Sequence, residues 1–486
     1  MYLEIKNNQT INKSEIPVED FNVLRMDLIK KYSTSQQMRV VQFFVNIEYG
    51  RNKLYCVLAN DETGKLFVTS SYIEKSFESI TLNNPAFHLF ERELFENFGI
   101  LPNGHPWLKP VRKNENYEFL KSDDMQSHEV AVGPVHAGII EPGHFRFLCN
   151  SERINHLEVQ LGYQHRGVEK MLKQAPSMQL VESICGDSTI AYATTFAHSM
   201  ESLSNIMVAK RAEIIRQIAL ELERIAIHVG TLGGIAEDIA YKMGSAVFGV
   251  TRTLVINTML EICGNRFGKG LIKIGGVNFD INDEMSAKIS SMLNEVQKRV
   301  DKMMKAMNNN ASVLSRLEKT AIISTKHAKE ISMVGLAARA CNVKIDARKF
   351  DDEKFEILTT GGGDVHSRFY IRYVEIKRSK EIIEGLLQKL EGEISFEKHF
   401  APNSFQGHLR CNLAPNSFLI SITEAWRGEL AHTVITDENG NIETYKIKDP
   451  SFNNWLGLAI ANRNGQISNF PVCNKSFDLS YCGFDL

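Results

Sequence analysis

One segment places histidine and glutamate side chains in a loop rich in glycine and proline, residues 133–147 (GPVHAGIIEPGHFRF). His136, Glu141 and His144 are the members of this loop that can exchange protons. Imidazole and carboxylate groups suit proton transfer because their surroundings can bring their pKa values close to neutrality. The loop is therefore a candidate proton relay, with these three residues as its catalytic groups.

Two further segments bring sulfur and hydroxyl groups into short turns. The first is Cys185-Gly186-Asp187-Ser188, and the second is the C-terminal segment 476–486 (SFDLSYCGFDL). Soft thiolate ligands favour nickel and iron, and two cysteines three residues apart on a turn can bind one metal. Serine stands where the second cysteine of such a pair would be, so the thiolate pair is incomplete.

The cysteines predict no disulfide framework. There are eight of them, scattered between Cys56 and Cys482, and no two form a CxxC motif. This spacing predicts free, mostly buried thiols.

Two more motifs complete a set that resembles a known family. Residues 91–100 (ERELFENFGI), followed by Gly104-His105-Pro106, resemble the small peripheral-arm subunit of respiratory complex I. The loop 133–147, the turn at Cys185, the segment 424–429 (EAWRGE) and the C-terminus resemble, in that order, the large subunits of complex I and of group 4 membrane-bound nickel–iron hydrogenases. The match runs from about Val40 to Leu486. The chain is thus similar to a large subunit of the formate hydrogenlyase type with a fused small-arm domain.

The resemblance implies roles for single residues. Glu141 matches the glutamate with which hydrogenases move protons at their metal site, and Arg427 matches an arginine that lies over the metals. Cys482 is one residue out of register with a ligand position, so its side chain is expected to point elsewhere. Losing three of four thiolates should abolish a nickel–iron centre, and no metal is expected. The four metal-binding cysteines of hydrogenases correspond here to Cys185, Ser188, Ser480 and Gly483.

Complex I also lacks these cysteines and uses the vacated cavity for quinone. The resemblance therefore implies a metal-free cavity that receives electrons from an iron–sulfur cluster in a partner subunit. Quinone or another acceptor would take the electrons, and the reaction would be coupled to ion translocation. Asp187 and Arg427 join the catalytic groups. The candidates that line the cavity are Cys185, Gly186, Ser188, Tyr192, Asp478 and Ser480.

Two alternatives stay open. The chain could be a hydrogenase or formate hydrogenlyase large subunit with an atypical metal site that uses Cys185, Cys473 or Cys482. It could instead be an inactive scaffold that positions its partners. The implied partners are a small iron–sulfur subunit and ion-translocating membrane subunits, with the chain lying peripherally on the cytoplasmic side of the inner membrane.

The elements that must position these residues predict an α+β protein. An N-terminal α+β domain over residues 1–112 follows from β-rich runs at 39–49, 53–59 and 66–70 and an amphipathic helix at 86–98. The polar residues 113–128 predict a linker. A mainly helical domain with small peripheral β-sheets is predicted over residues 129–486, from helical periodicity at 211–229, 283–307 and 379–390 and from strands at 418–422 and 430–435 around a turn at 437–441.

Composition argues against several classes of protein. The formal net charge is −2 and no block of basic residues resembles a polybasic arm, which argues against a nucleic-acid binder. No stretch is expected to reach the roughly 18 apolar residues that span a bilayer, and the first residues are too polar for a signal peptide. With neither a Rossmann fingerprint nor a P-loop, any nicotinamide chemistry is expected in another subunit.

Overall fold

An antiparallel sheet opens the chain in the computed structural model, which describes residues 1–33, 38–112, 117–122, 126–134, 141–392 and 412–486. Its four strands lie in the order β1-β5-β4-β3. The three strands predicted from β-rich runs are confirmed as β3, β4 and β5. The first elements of the chain are β1 (Leu3–Ile5), β2 (Ile11–Asn12), α1 (Phe21–Ser33), β3 (Met38–Glu48), β4 (Arg51–Asn60) and β5 (Lys65–Ile73).

The helix expected at 86–98 is confirmed and covers this sheet. Helix α2 (His88–Phe98) lies between the short parallel strands β6 (Ser76–Glu78) and β7 (Leu101–Asn103). Phe87 and Phe90 pack against the ring of Phe43, with centroid distances of 5.0 and 6.5 Å. The helix ends at Gly99, whose φ of 66° is a left-handed conformation that other residues rarely adopt.

A buried ion cluster ties α2 to the far end of the chain. The Glu93 carboxylate contacts the Arg112 guanidinium and lies 2.7 Å from the Lys446 ammonium. Burial alone would raise the pKa of Glu93, but Lys446 and Arg112 outweigh it and hold the pKa at about 2. Helix α2 is therefore held against the C-terminal half of the chain by ion pairs as well as by packing.

Residues 113–128 were expected to form a linker. Those of them that the structure describes pack against the sheet that follows. That sheet has the order β10-β9-β8 and consists of β8 (Ser127–Val132), β9 (His144–Asn150) and β10 (Arg153–Gln160). Tyr117 donates its hydroxyl to Glu158 Oε1 at 2.9 Å, and the Leu120 amide donates to Glu158 Oε2 at 2.8 Å. The described part of 113–128 is thus held on β10 and its last residues already belong to β8. The domain boundary itself stays a prediction.

Long helices form the second core. The helices expected at 211–229 and 283–307 are confirmed as α6 and α8. The helix expected at 379–390 begins earlier, because the Asp364 side chain caps it by accepting from the Ser367 amide at 2.8 Å. The elements of this region are α3 (Val168–Gln174), α4 (Met178–Glu182), α5 (Thr189–Leu203), α6 (Lys210–Asp238), α7 (Lys242–Cys263), β11 (Ile272–Lys273), β12 (Gly276–Val277), α8 (Asp283–Asn308), α9 (Ala311–Leu317), α10 (Thr325–Glu330), α11 (Gly335–Arg339) and α12 (Val365–Leu387).

Helix α7 departs from the expectation that no stretch is apolar enough to span a bilayer. By length and composition alone it could cross a membrane, with a mean hydropathy of 1.3 over its most apolar window. Phe248, Val255 and Met259 on one face are buried in the helical core, whereas Met243 and Val250 are exposed. A core helix with one apolar outer face has the same pattern, so this helix is weak evidence for a membrane span.

The C-terminal sheet contains β13 (Ser417–Ala425), β14 (Gly428–Thr436) and β15 (Ile442–Lys448), followed by α13 (Pro450–Asn462) and α14 (Phe470–Phe477). The turn expected at 437–441 joins β14 to β15; β13 and β14 are instead joined at Trp426 and Arg427. Strand β2 completes the sheet by pairing with β13, so the order is β15-β14-β13-β2. The predicted α+β class with small peripheral sheets is confirmed.

Candidate functional site

The turn between β13 and β14 carries the centre of the candidate site. The guanidinium of Arg427 donates to both carboxylate oxygens of Asp187, each at 2.7 Å. Its Nε donates to the backbone oxygen of Asp478 at 2.6 Å. The guanidinium carbon Cζ lies 3.9 Å from the centroid of the Trp426 ring. Three separate parts of the chain, predicted as site segments, therefore meet at one arginine.

Glycines hold this turn close to α11. Gly335 has a φ of +64°, and a Cβ atom built there would lie 2.0 Å from the backbone oxygen of Arg427. Gly428 has a φ of +137° and approaches Gly335 from the other side. Only residues without a side chain fit this contact, so the backbone that carries Arg427 is positioned by α11.

Replacing Gly335 with alanine should lower the free energy of unfolding by about 3 kcal/mol or more, because backbone strain adds to a backbone clash. Chemical denaturation of the two proteins measures this difference. Gly385→Ala is the matched control, since a Cβ built in this part of α12 meets nothing within 4 Å. It should be neutral or slightly stabilising, as expected for alanine within a helix. Equal stability of Gly335→Ala and the parent protein would contradict the proposed contact.

The two carboxylates at Arg427 remain ionised. Burial would raise the pKa of Asp187, but the charge of Arg427 outweighs it and holds the pKa below its ordinary value. Burial acts in the same direction on Asp478, where Lys475 and Arg427 lower the pKa to about 2. The Asp187 side chain keeps 36% of its exposure and the neighbouring Gly186 is exposed, so the site is open at this point.

The positions that correspond to metal ligands converge but offer a poor donor set for nickel and iron. The Cys185 Sγ atom lies 3.3 Å from Ser480 Oγ, which also accepts from the Gly483 amide at 2.8 Å. Ser188 Oγ accepts from Arg427 at 3.3 Å. One thiol, two neutral hydroxyls and a glycine replace four thiolates, and a guanidinium lies beside them. These residues do not fit a nickel–iron centre.

Cys482 is placed differently from the sequence expectation. Its thiol does not point away: it lies 3.5 Å from Ser480 Oγ, the same atom that is 3.3 Å from Cys185 Sγ. The C-terminal residues form a turn in which the Asp485 amide donates to the Tyr481 backbone oxygen at 2.9 Å. A one-residue shift in register therefore does not turn this side chain away, as it would on a strand.

Of the three proton-relay candidates, Glu141 lies at the site. Its Oε2 atom accepts from the Cys482 amide at 3.1 Å. His144 is the first residue of β9 and packs edge-on against Phe119, with a centroid distance of 4.5 Å. Burial, with a smaller contribution from Arg146, lowers the pKa of His144, which favours the neutral ring. His136 lies outside the described residues.

Tyr192, the candidate phenol, is buried on α5. Its hydroxyl donates to Asp449 Oδ2 at 2.7 Å. Burial and the Asp449 carboxylate raise the pKa of Tyr192, which keeps the phenol protonated. The group is therefore held by Asp449 as a neutral donor behind the site.

Glu223 on α6 was not among the residues predicted from the sequence. Its carboxylate is buried and accepts from the Ile190 amide at 2.7 Å. Burial raises its pKa to about 8, against the opposing effect of the backbone donors. A cavity of about 20 Å³, lined by Asp187 and Glu223 among others, joins it to the site. The sequence gives little signal for it, because Glu221 and Arg224 are charged residues buried on the same helix.

Glu223 predicts a pH-dependent stability. Its pKa of about 8 in the folded protein lies above the ordinary 4.5, so the unfolded chain releases the proton first. Stability should fall as pH rises from about 4.5 to about 8, by at most about 1.4 kcal/mol per pH unit, and then level off. Glu223→Gln removes this contribution. Its melting temperature should therefore rise relative to the parent protein across that range, whereas exposed Glu438→Gln should give a constant difference. If the difference in melting temperature from the parent protein were independent of pH for both variants, the raised pKa of Glu223 would be refuted.

A second cluster could hold a cation by its residue types. Among the described residues, His198, Glu201 and Glu213 have ligand atoms that all lie within 4.8 Å of one another. Arg216 already contacts the two glutamates, at 2.6 and 2.8 Å. Its guanidinium supplies the positive charge that a metal would bring, so we assign no metal here.

Comparisons with protein families match both halves of the chain. The family "Respiratory-chain NADH dehydrogenase, 49 Kd subunit" matches residues 243–485, which is half of the chain. The family "Respiratory-chain NADH dehydrogenase, 30 Kd subunit" matches residues 19–128. The two matches follow one another in the order expected from the motifs.

Individual relatives agree with these two family matches. Formate hydrogenlyase subunit 5 of Escherichia coli is 26% identical over 89% of this chain and 81% of its own length. Membrane-bound hydrogenase subunit alpha of Pyrococcus furiosus is 30% identical, over 72% of this chain and 85% of its own. An NADH-quinone oxidoreductase subunit of Carboxydothermus hydrogenoformans is 29% identical, over 73% and 97%.

A solved structure shares the fold. A chain of the membrane-bound sulfane sulfur reductase, described as an archaeal respiratory membrane complex, superposes with a TM-score of 0.68 at 20% identity. The match covers 75% of this chain and all of that one.

Proposed function

This chain belongs to the large-subunit family of complex I and membrane-bound hydrogenases, in a form fused to the 30 kDa-type domain, and we propose that it reduces an acceptor at a metal-free site around Arg427. It is an oxidoreductase subunit of a membrane complex. The acceptor is quinone or a molecule of similar two-electron chemistry. Its electrons come from an iron–sulfur cluster in a small partner subunit.

The observation that carries this proposal is the pairing of Arg427 with Asp187 at the open edge of the vacated metal positions. A guanidinium in a largely buried site stabilises negative charge that develops on an acceptor oxygen. Asp187 fixes its orientation through two hydrogen bonds. The exposed Gly186 leaves room beside them, because a Cβ atom built there meets nothing within 4 Å.

Protons would reach the reduced acceptor from side chains at the same place. Glu141 lies at the Cys482 amide and Asp187 lies at the opening. Glu141 can hold and release a proton at its carboxylate oxygen, whereas Asp187 stays ionised and orients Arg427. Glu223 adds a carboxyl group that changes charge near neutral pH, behind Asp187.

The location of the chain and its neighbours in the complex are inferred from the family. We propose that the chain lies peripherally at the cytoplasmic side of the inner membrane, between the iron–sulfur subunit and ion-translocating membrane subunits. Negative charge that develops on the acceptor beside Arg427 would bias those subunits between two states, as a coupling free energy between the two sites requires.

A hydrogenase with an atypical metal site is the second candidate, since the thiols of Cys185 and Cys482 both lie at Ser480 Oγ. Metal analysis of the purified complex separates the two. We expect nickel well below one atom per chain in a preparation that reduces a short-chain quinone. About one nickel per chain, with hydrogen evolution, would replace our proposal by the hydrogenase. Normal assembly without any turnover would favour the inactive scaffold.

A further inference from the structure

Two cysteine thiols lie at the same serine hydroxyl in the site, although neither belongs to a CxxC motif. Cys185 comes from the turn before α5, and Cys482 comes from the C-terminal turn. Their Sγ atoms lie 3.3 and 3.5 Å from the same atom, Ser480 Oγ, and Cys482 raises the pKa of Cys185. Both are buried, and neither forms a disulfide in this structure.

The groups around the pair hold Cys185 in place as a thiol. Arg427 Nη1 lies 3.6 Å from Cys185 Sγ, and Asp187 Oδ1 accepts from that thiol at 3.0 Å. Cys482, burial and Asp187 raise the pKa of Cys185 against the opposing charge of Arg427, so the group keeps its proton. Within the described residues, these groups do not form a set of three converging metal ligands.

The pair also lies next to the opening of the site. Gly186 and Asp187 follow Cys185 directly and are the exposed part of this turn. Both thiols are buried, with Cys185 2% and Cys482 7% exposed, and Cys185 directly precedes the exposed Gly186. The Cys482 thiol, which lies at the same hydroxyl, is in place as the resolving thiol.

We propose that Cys185 and Cys482 form a redox-active dithiol that reduces the acceptor. Both S–H bonds break and one S–S bond forms as two electrons and two protons convert a bound quinone to quinol. Two one-electron transfers from the partner's iron–sulfur cluster and two protons then break the S–S bond and restore the thiols. The dithiol thus links a one-electron donor to a two-electron acceptor. This inference rests on the proposed function and adds the group that performs it.

The first experiment needs no acceptor. The purified complex is poised with diamide or dithiothreitol, its free thiols are alkylated, and the peptides are analysed by mass spectrometry. We expect a reversible disulfide between Cys185 and Cys482. Cys341, whose buried thiol donates to the Ala337 backbone oxygen, should stay alkylatable after denaturation in both states. Two free thiols at 185 and 482 after diamide would overturn the dithiol.

The second experiment follows turnover in the same complex. Cys482→Ala should lower quinone reduction about a hundredfold or more, because an external thiol cannot match the local concentration of a positioned one. Reduction of the iron–sulfur cluster by the donor should stay unchanged, and Cys341→Ala should retain full turnover. Parent-like turnover of Cys482→Ala would reject the dithiol and leave the proposed function intact. A reversible disulfide in a complex that reduces no acceptor would reject the proposed function and keep the dithiol.

Discussion

Arg427→Lys should lower the rate of acceptor reduction by about 10²-fold, with little change in the folded state. Lysine keeps the positive charge but loses the planar fork that contacts both oxygens of Asp187. It also loses the Nε–H bond to the backbone of Asp478, which fixes the C-terminal turn. A loss of this size is typical when one positioned donor to a developing negative charge is removed.

Steady-state quinone reduction by the purified complex measures this effect. Reduction of the partner's cluster by the donor should be unchanged, because that step precedes the site. Arg299→Lys on α8 is the control, since this partly exposed arginine pairs with Glu295, one turn before it on the helix. Equal rates for Arg427→Lys and the control would exclude Arg427 from the reaction.

Glu141→Gln should slow turnover by about 10²- to 10⁴-fold, the usual contribution of a positioned proton donor or acceptor. Glutamine has the same size and can still accept the hydrogen bond from the Cys482 amide. The C-terminal turn should therefore keep its structure while the exchangeable proton is lost. A purely structural role for Glu141 predicts no effect for this substitution.

The comparison with Glu141→Asp sharpens the test. Aspartate restores a carboxyl group and should recover part of the activity, and the solvent deuterium isotope effect should be largest in the glutamine variant. Glu129→Gln on β8, where the carboxylate pairs with Arg146 at 3.1 Å, provides the control. Unimpaired turnover of Glu141→Gln would remove Glu141 from the proton path.

Local pattern predicted much of the fold. The strands β3 to β5 follow from runs of β-forming residues, and the helices α2, α6 and α8 follow from apolar residues at helical spacing. The start of α12 was missed because buried arginines interrupt its apolar residues. Arg368 and Arg372 are buried through contacts to distant segments, which the local pattern does not display. The turn at Trp426 and Arg427 was missed because its cause, the close approach of Gly428 to Gly335, lies in another part of the chain.

The site was predictable where the family resemblance carried the information. Arg427, Asp187 and Asp478 were expected in the site, and they meet there. The predicted direction of the Cys482 side chain was wrong. A turn, unlike a strand, does not point successive side chains to opposite sides. Glu223 was missed because its raised pKa comes from burial, which the sequence does not display.

The pairing of β2 with β13 has a consequence for how the complex is built. Respiratory-chain families describe the two halves of this chain as separate 30 Kd and 49 Kd subunits. Here a covalent connection holds them at an effective concentration on the order of millimolar, so their docking is independent of how much of each is synthesised. Ile11 and Asn12 also cover an edge of the C-terminal sheet that would otherwise be open to pairing with other chains. Fusion thus fixes the stoichiometry of the two halves at one to one and protects a strand edge that a separate large subunit would have to protect in another way.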